Sequence, residues 1–259
     1  MGGQRKGFTL LAGWVFLVSA AGHAATVIET DGTGRASVLY ISDTKVRVEN
    51  AASAGNVTLF DRAADEMVFI DHGAQRFQRI DREEMRRIAE HVTRTREALE
   101  ARIEEMPPEQ RAHMRRRLAE MPRVDNASAI RIERLGNGTI AGIGCQEAMV
   151  HVNDEPSHEV CAASAHDLGL SPAAFHTIEE MFAFFAEMTG GMSEGNAELG
   201  PRSTRQVMRE LDGIPVRSES VQSDAGWSVT AVHEADVPAE HFGIPPDYDE
   251  IDPIAQGAP

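Results

Sequence analysis

Two cysteines, ten histidines and 41 carboxylates are the side chains of this 259-residue chain from which a reaction or a metal site could be built. Cys145 and Cys161 lie eight residues either side of Asn153, and Asn153-Asp154-Glu155-Pro156 is turn material. A hairpin centred there sets the two cysteines opposite each other. A disulfide closing a loop of about 15 residues stabilises by roughly 3 kcal/mol in the chain-entropy picture. Redox pairs usually have CxxC spacing beside a helix, which this pair lacks. The same register puts Cys145, Glu147, Met149, Ser157, Glu159 and Cys161 on one face, and Ala148, Val150, Val152 and Val160 on the other. The second face is apolar and is expected to point inward. The disulfide is then expected on the wetter face, with Glu147 opposed unfavourably to Glu159.

The histidines do not form a ligand pattern. Neither HxxxH nor HxH occurs, and His158-Glu159 and His233-Glu234 begin like HExxH but lack the second histidine. There is no GxxxxGK[ST] phosphate loop and no GxGxxG fingerprint. No GxSxG elbow is read, and Gly190-Gly191-Met192-Ser193-Glu194-Gly195 is taken only as a glycine-rich loop. Carboxylates are frequent throughout an acidic chain and point to no pair without geometry. The reading is therefore a non-catalytic protein, with no cofactor and no metal.

The formal net charge of −16 argues against a general nucleic-acid partner, which needs a basic face. The chain opens on Arg5 and Lys6, then an apolar run from Phe8 to Ala21, then small residues to Ala25. This is the pattern of a signal peptide over residues 1–25, with cleavage expected after Ala24 or Ala25. The apolar run is shorter than the roughly 20 residues a span requires. Trp14 stands where a lipobox cysteine would be, so the expectation is a periplasmic or secreted protein without a lipid anchor or a later transmembrane segment. Without the leader the net charge is −18. Residues 76–134 carry 15 basic and 12 acidic side chains, whereas residues 135–259 carry 4 and 21.

The elements that must position these residues are mostly short strands. Val27-Ile28, Ala36–Ile41, Lys45–Glu49, Val57–Asp61, Met67–His72 and Phe77–Ile80 form an antiparallel meander, separated by turn residues. Over residues 82–121 the apolar period lengthens: Met85, Ile88, Val92, Thr95, Leu99, Ile103 and Met106 share one helical face, and Pro107-Pro108 divides two helices. This helical hairpin either packs its stripe on the sheet or its partner helix, or serves as a movable lid. Its Arg115-Arg116-Arg117 run is either a solvated face or a contact for anionic head groups. Strands return at Ala129–Leu135, Thr139–Ile143 and Cys145–Val152, with Gly136-Asn137-Gly138 read as a hairpin turn. A third helix is expected from about Ser171 to Met188. Its Phe175, Ile178, Met181, Phe182, Phe185 and Met188 make a wide apolar face, which Phe184 widens further. Residues 192–202 read as a loop, and Arg205–Leu211, Pro215–Val221 and Trp227–His233 as further strands.

Four stretches carry a family likeness: Val38–Val48, Met67–His72 with Phe77, Gly144-Cys145 to Val160-Cys161, and Gly213-Ile214-Pro215-Val216 continued by Val237-Pro238, Phe242 and Ile244-Pro245. On these the chain resembles an uncharacterised family of exported bacterial proteins, itself similar to the lipoprotein-carrier superfamily typified by LolA and LolB. The resemblance implies an α+β fold: a curved antiparallel sheet, an incomplete barrel, with helices across its concave side. Here it would be a single domain over residues 26–250, with a helical insertion at 82–121 and a tail at 251–259. Carriers of that shape hold acyl chains between sheet and helices.

Two functions follow as expectations. One is a binding protein for a lipid or another apolar ligand, with Phe175, Ile178, Met181, Phe182, Phe185 and Met188 as its binding face. It requires a continuous apolar cavity of roughly several hundred Å³ under that helix. The other is an envelope protein–protein interaction module with a filled core and the helical hairpin as its contact surface.

Overall fold

The computed structural model describes residues 23–33, 36–51, 55–120, 129–189 and 199–252. Its leading element is β1 (His23–Gly32), followed by β2 (Ser37–Ile41), β3 (Lys45–Asn50), β4 (Asn56–Asp61), β5 (Glu66–Asp71) and β6 (Arg76–Asp81). The helices α1 (Arg82–Glu104) and α2 (Pro108–Glu120) come next, then β7 (Ile130–Ile140), β8 (Ile143–Val152) and β9 (Glu155–Ala163). The chain continues through α3 (Pro172–Thr189), α4 (Pro201–Leu211), β10 (Ile214–Ser220), β11 (Gly226–Val237) and β12 (Asp249–Glu250). The fold is α+β. Its twelve strands form one open sheet in the order β12-β6-β5-β4-β3-β2-β1-β11-β10-β9-β8-β7. Every pairing is antiparallel except that of β12 with β6.

Most of the expected leader lies outside the described residues, but its last three residues form the first rungs of β1, with His23 opposite Val237. Ala25 is buried there.

Alternation along the strands separates two apolar layers. Ile28, Ile41, Val46, Phe60, Met67 and Ile80 join Ile178, Met181 and Phe184 of α3 in the principal core. Val57, Leu59, Val68, Ile70 and Phe77 point to the opposite face and are covered by Val237 and Phe242. Phe242 ends a short 3-10 turn, from which the chain runs on to pair with β6.

Helices α1 and α2 lie where the lengthened apolar period places two helices. Asp81 caps α1 by accepting a hydrogen bond from the Glu84 amide at 2.7 Å, and Pro108 opens α2, where its missing N–H costs no hydrogen bond. The apolar stripe of α1 is used only at its ends. Met85 and Ile103 are buried, whereas Val92 is 45% exposed. The first turn is fastened to the body through Arg82, which pairs with Asp65 at 2.9 Å and with Glu187 of α3. Its guanidinium lies 4.8 Å from the centre of the Phe184 ring.

Three local expectations are corrected. Residues 205–211 are not a strand but the body of α4. Pro201 starts this helix, and Thr204, Val207, Met208 and Leu211 recur at helical spacing on its buried side. The β7–β8 hairpin turns at Ala141-Gly142, both at positive φ, and not at Gly136-Asn137-Gly138. Those three residues stay in β7, where a Cβ on Gly138 would stand 2.7 Å from Oε1 of Glu147. Glycine there makes room for a cross-strand carboxylate. Finally, β8 and β9 turn at Asn153-Asp154 with a bulge near His151, so Cys161 lies opposite Glu147 and Cys145 reaches it diagonally. The Cys145–Cys161 disulfide is present, with Cα atoms 5.5 Å apart. It is not on a wet face: Cys145 is 8% exposed and Cys161 fully buried, both within the principal core. Nor is Glu147 opposed to Glu159, which pairs with Met149 instead; Arg217 donates to both carboxylates, to Glu147 at 3.2 Å and to Glu159 at 2.9 Å.

Candidate functional site

The face of β1, β2 and β3 that packs toward α3 is organised in cross-strand rows. Thr26 pairs with Ile41, and Ile41 with Val46. One step along, Leu39 sits between Ile28 and Val48. Another step toward the β1–β2 turn, Ser37 sits between Thr30 and Asn50. Side chains two apart on a strand share a face, so two rows that are wholly or mainly apolar are followed by one polar row on the same surface.

Two helices roof this surface. Ser171 caps α3 by accepting from the Ala174 amide at 3.0 Å, and its hydroxyl donates to Asp43. Thr177 donates to the Asp43 carbonyl at 2.7 Å. These bonds fix the start of α3 to the β2–β3 turn. Helix α4 packs beside α3 and against β10, with Val207 and Leu211 meeting Ala148, Val150 and Val160. Its end is set by Asp212 in a left-handed conformation, whose amide donates back to Met208.

Between roof and sheet lies a cavity of about 290 Å³. Ile28, Leu39, Ile41 and Val48 line it from one side, Val216, Trp227 and Val229 of β10 and β11 from another, and Ile178 and Phe182 of α3 with Leu199 and Thr204 from above. Burial is graded along it. Ile28, Ile41 and Val229 are at most 3% exposed, while Thr30, Ser37 and Asn50 are half-buried. The polar row therefore marks the mouth. Thr33 ties that end together, donating from its amide to the Gly226 carbonyl at 3.0 Å and accepting at its hydroxyl from the Gly226 amide at 3.0 Å. Among the described residues that line the cavity, none carries a charged side chain.

Of the six residues expected to form a binding face, only Ile178 and Phe182 reach the cavity. Met181 is buried in the core, and Phe175, Phe185 and Met188 pack partly buried against it. The sheet side of the cavity and the contribution of α4 were not in that expectation. The alternation of β1 to β3 signalled an apolar face but not which element would stand across from it.

The histidine contacts lie elsewhere. His72 meets Tyr248 at 2.7 Å, His151 meets Glu133 at 2.9 Å, and Ser157 meets His158 at 2.8 Å. None of these residues lines the cavity. The Arg131 hydrogen bond, followed by that of His151, lowers the Glu133 pKa. Among the described residues no group of three His, Cys, Asp or Glu side chains is placed to hold a metal ion. No helix among them is long and apolar enough to cross a membrane. Gly191-Met192-Ser193-Glu194-Gly195 does have the G-x-S-x-G spacing, but it lies outside the described residues and follows a helix. A nucleophile elbow follows a strand.

Comparison with known proteins places the chain without naming an activity. No curated protein matches it. A structure described as an uncharacterized conserved protein from Thermus thermophilus is similar at 8% identity and a TM-score of 0.42, over 89% of this chain and 90% of that one. The structure of PNGF-II is similar at 9% identity and a TM-score of 0.41, over 90% of this chain and 31% of that one. The family described as "Domain of unknown function (DUF4412)" matches over residues 103–248, more than half of the chain, and the protein belongs to that family.

Proposed function

We propose that the protein is an exported, non-catalytic binding protein that holds an apolar ligand between its sheet and helix α3. The observation that carries this reading is the cavity of about 290 Å³, whose described lining residues are uncharged, with Ile28, Ile41 and Val229 at its inner end. Well-formed apolar cavities with a few polar groups at one end are the usual form of small-molecule sites. The likeness to LolA-type carriers agrees with this placement, since those proteins hold acyl chains between sheet and helices. The buried Cys145–Cys161 disulfide suits an oxidising compartment such as the periplasm.

The test is mass spectrometry of organic extracts from protein purified out of the periplasm. An apolar compound recovered in molar proportion to the protein is the expected result. Absence of any bound compound, together with no response to added amphiphiles, would leave the interaction module ahead. One observation favours that second reading: the middle of α1 stands away from the body, with Val92 45% exposed.

A further inference from the structure

The cavity reading above leaves open what kind of head group the ligand carries. We propose that the ligand is a single-chain amphiphile with an uncharged, hydrogen-bonding head, seated with that head at the Thr30–Ser37–Asn50 row and its chain running inward past Leu39. The inference rests on the cavity being the binding site and goes on to the chemical class it selects.

Three observations converge. First, the polarity gradient along β1, β2 and β3 is directional: the polar row lies at the mouth, and the Ile28–Leu39–Val48 row and Ile41 lie successively deeper, with the buried hydroxyls of Thr204 and Ser218 coming from α4 and β10. An amphiphile fits such a gradient in only one orientation. Second, the polar row offers neutral groups alone. Thr30 donates its hydroxyl to the Ser37 carbonyl at 3.3 Å, leaving its oxygen lone pairs as acceptors. An ionised carboxylate or ammonium seated there would lose hydration with no opposite charge among the described lining residues to replace it. Third, the depression next to the mouth is acidic. Asp31, Glu219 and Asp224 line it, and it shares Gly32, Gly226 and Trp227 with the cavity. That field opposes entry of anions. At about 290 Å³ the cavity stands at the small end of ligand pockets, which run to about 300–1,000 Å³, and this suits a single chain.

The probes are three compounds of equal chain length: 1-decanol, decanoate and decyltrimethylammonium, titrated calorimetrically into the purified chain at low salt. 1-Decanol is expected to bind at least about tenfold more tightly than either ion. Ser37→Lys, which puts a cation in the mouth row, is expected to raise decanoate affinity by about tenfold or more. Binding of decanoate or decyltrimethylammonium as tight as that of 1-decanol overturns the head-group assignment. So does a Ser37→Lys protein with unchanged decanoate affinity. Val216→Phe, which fills the inner cavity, separates the two levels. If an ion binds best and Val216→Phe abolishes its binding, the cavity reading stands and only this inference fails. If no probe binds the unaltered protein, the cavity reading fails and takes the inference with it.

Discussion

The rings of Phe60 and Phe184 lie 5.8 Å apart, tilted by 59°, and both side chains are fully buried. This contact joins β4 to α3 at the centre of the principal core. Phe184, rather than Phe182 or Phe185, is the aromatic side chain that anchors the helix. Phe184→Ala is expected to cost about 3–5 kcal/mol of stability, as for other buried aromatic truncations. Phe185→Ala, at a partly buried position, is expected to cost clearly less. Urea unfolding midpoints of the two variants check the order, and equal losses would contradict it.

The disulfide makes a second measurable contribution. Cys145 and Cys161 are separated by 16 residues, so their removal as a Cys145→Ala, Cys161→Ala pair is expected to cost roughly 3 kcal/mol through restored freedom of the unfolded chain. Equilibrium unfolding of the double variant under oxidising conditions gives the value. A loss near zero would mean the crosslink constrains nothing that the β8–β9 pairing does not already hold.

Arg217 is the only cation in contact with both Glu147 and Glu159 among the described ion pairs, and its side chain is 20% exposed. Arg217→Met is expected to destabilise by roughly 1–2 kcal/mol, because both carboxylates lose the cation they share. The same change in a Glu147→Gln, Glu159→Gln background should cost less, and a double-mutant cycle reads the difference. Equal costs in the two backgrounds would remove electrostatics as the cause.

His241 gives a pH dependence of known sign. Its ring stands edge-on to Tyr40 at 4.4 Å. Burial, and next the Arg47 charge, lower its pKa below 6.5, with Glu49 opposing. The folded state therefore favours the neutral ring, while the unfolded chain takes up a proton near its ordinary value. The stability linked to this group is present above the unfolded pKa and is lost as pH falls through that value toward the folded one. Unfolding midpoints between about pH 7.5 and 5.5 are expected to fall less steeply in His241→Gln than in the unaltered protein. Identical slopes would show that His241 is not the group responsible.

Much of the architecture is written in local pattern. The helices over residues 82–104, 108–120 and 172–189 follow from apolar spacing and from the prolines at 107, 108 and 172. The meander from β2 to β6 follows from alternation and turn residues. Helix α4 was hidden because Val207-Met208 is a contiguous apolar pair, neutral between strand and helix, and the deciding signal is Pro201, several residues upstream. Gly136-Asn137-Gly138 has the chemistry of a turn, yet Gly138 serves the packing of Glu147 instead. The cavity was legible only on its α3 side. Its mouth and floor depend on the register of β1 against β2, and of β1 against β11 some 200 residues away, which no local pattern encodes.

The central claim, that the space beneath α3 receives an apolar ligand, can be read through Trp227. This residue lines the cavity, and Trp14 is the only other tryptophan in the chain. In a Trp14→Phe protein, titration with 1-bromodecane brings a heavy-atom quencher to a single fluorophore. The account expects saturable quenching at one ligand per chain, lost in a Val216→Phe variant that keeps its thermal midpoint within a few degrees, given an overpacking cost of about 1–3 kcal/mol. Quenching no greater than that of free tryptophan, or saturable quenching untouched by Val216→Phe, would contradict it.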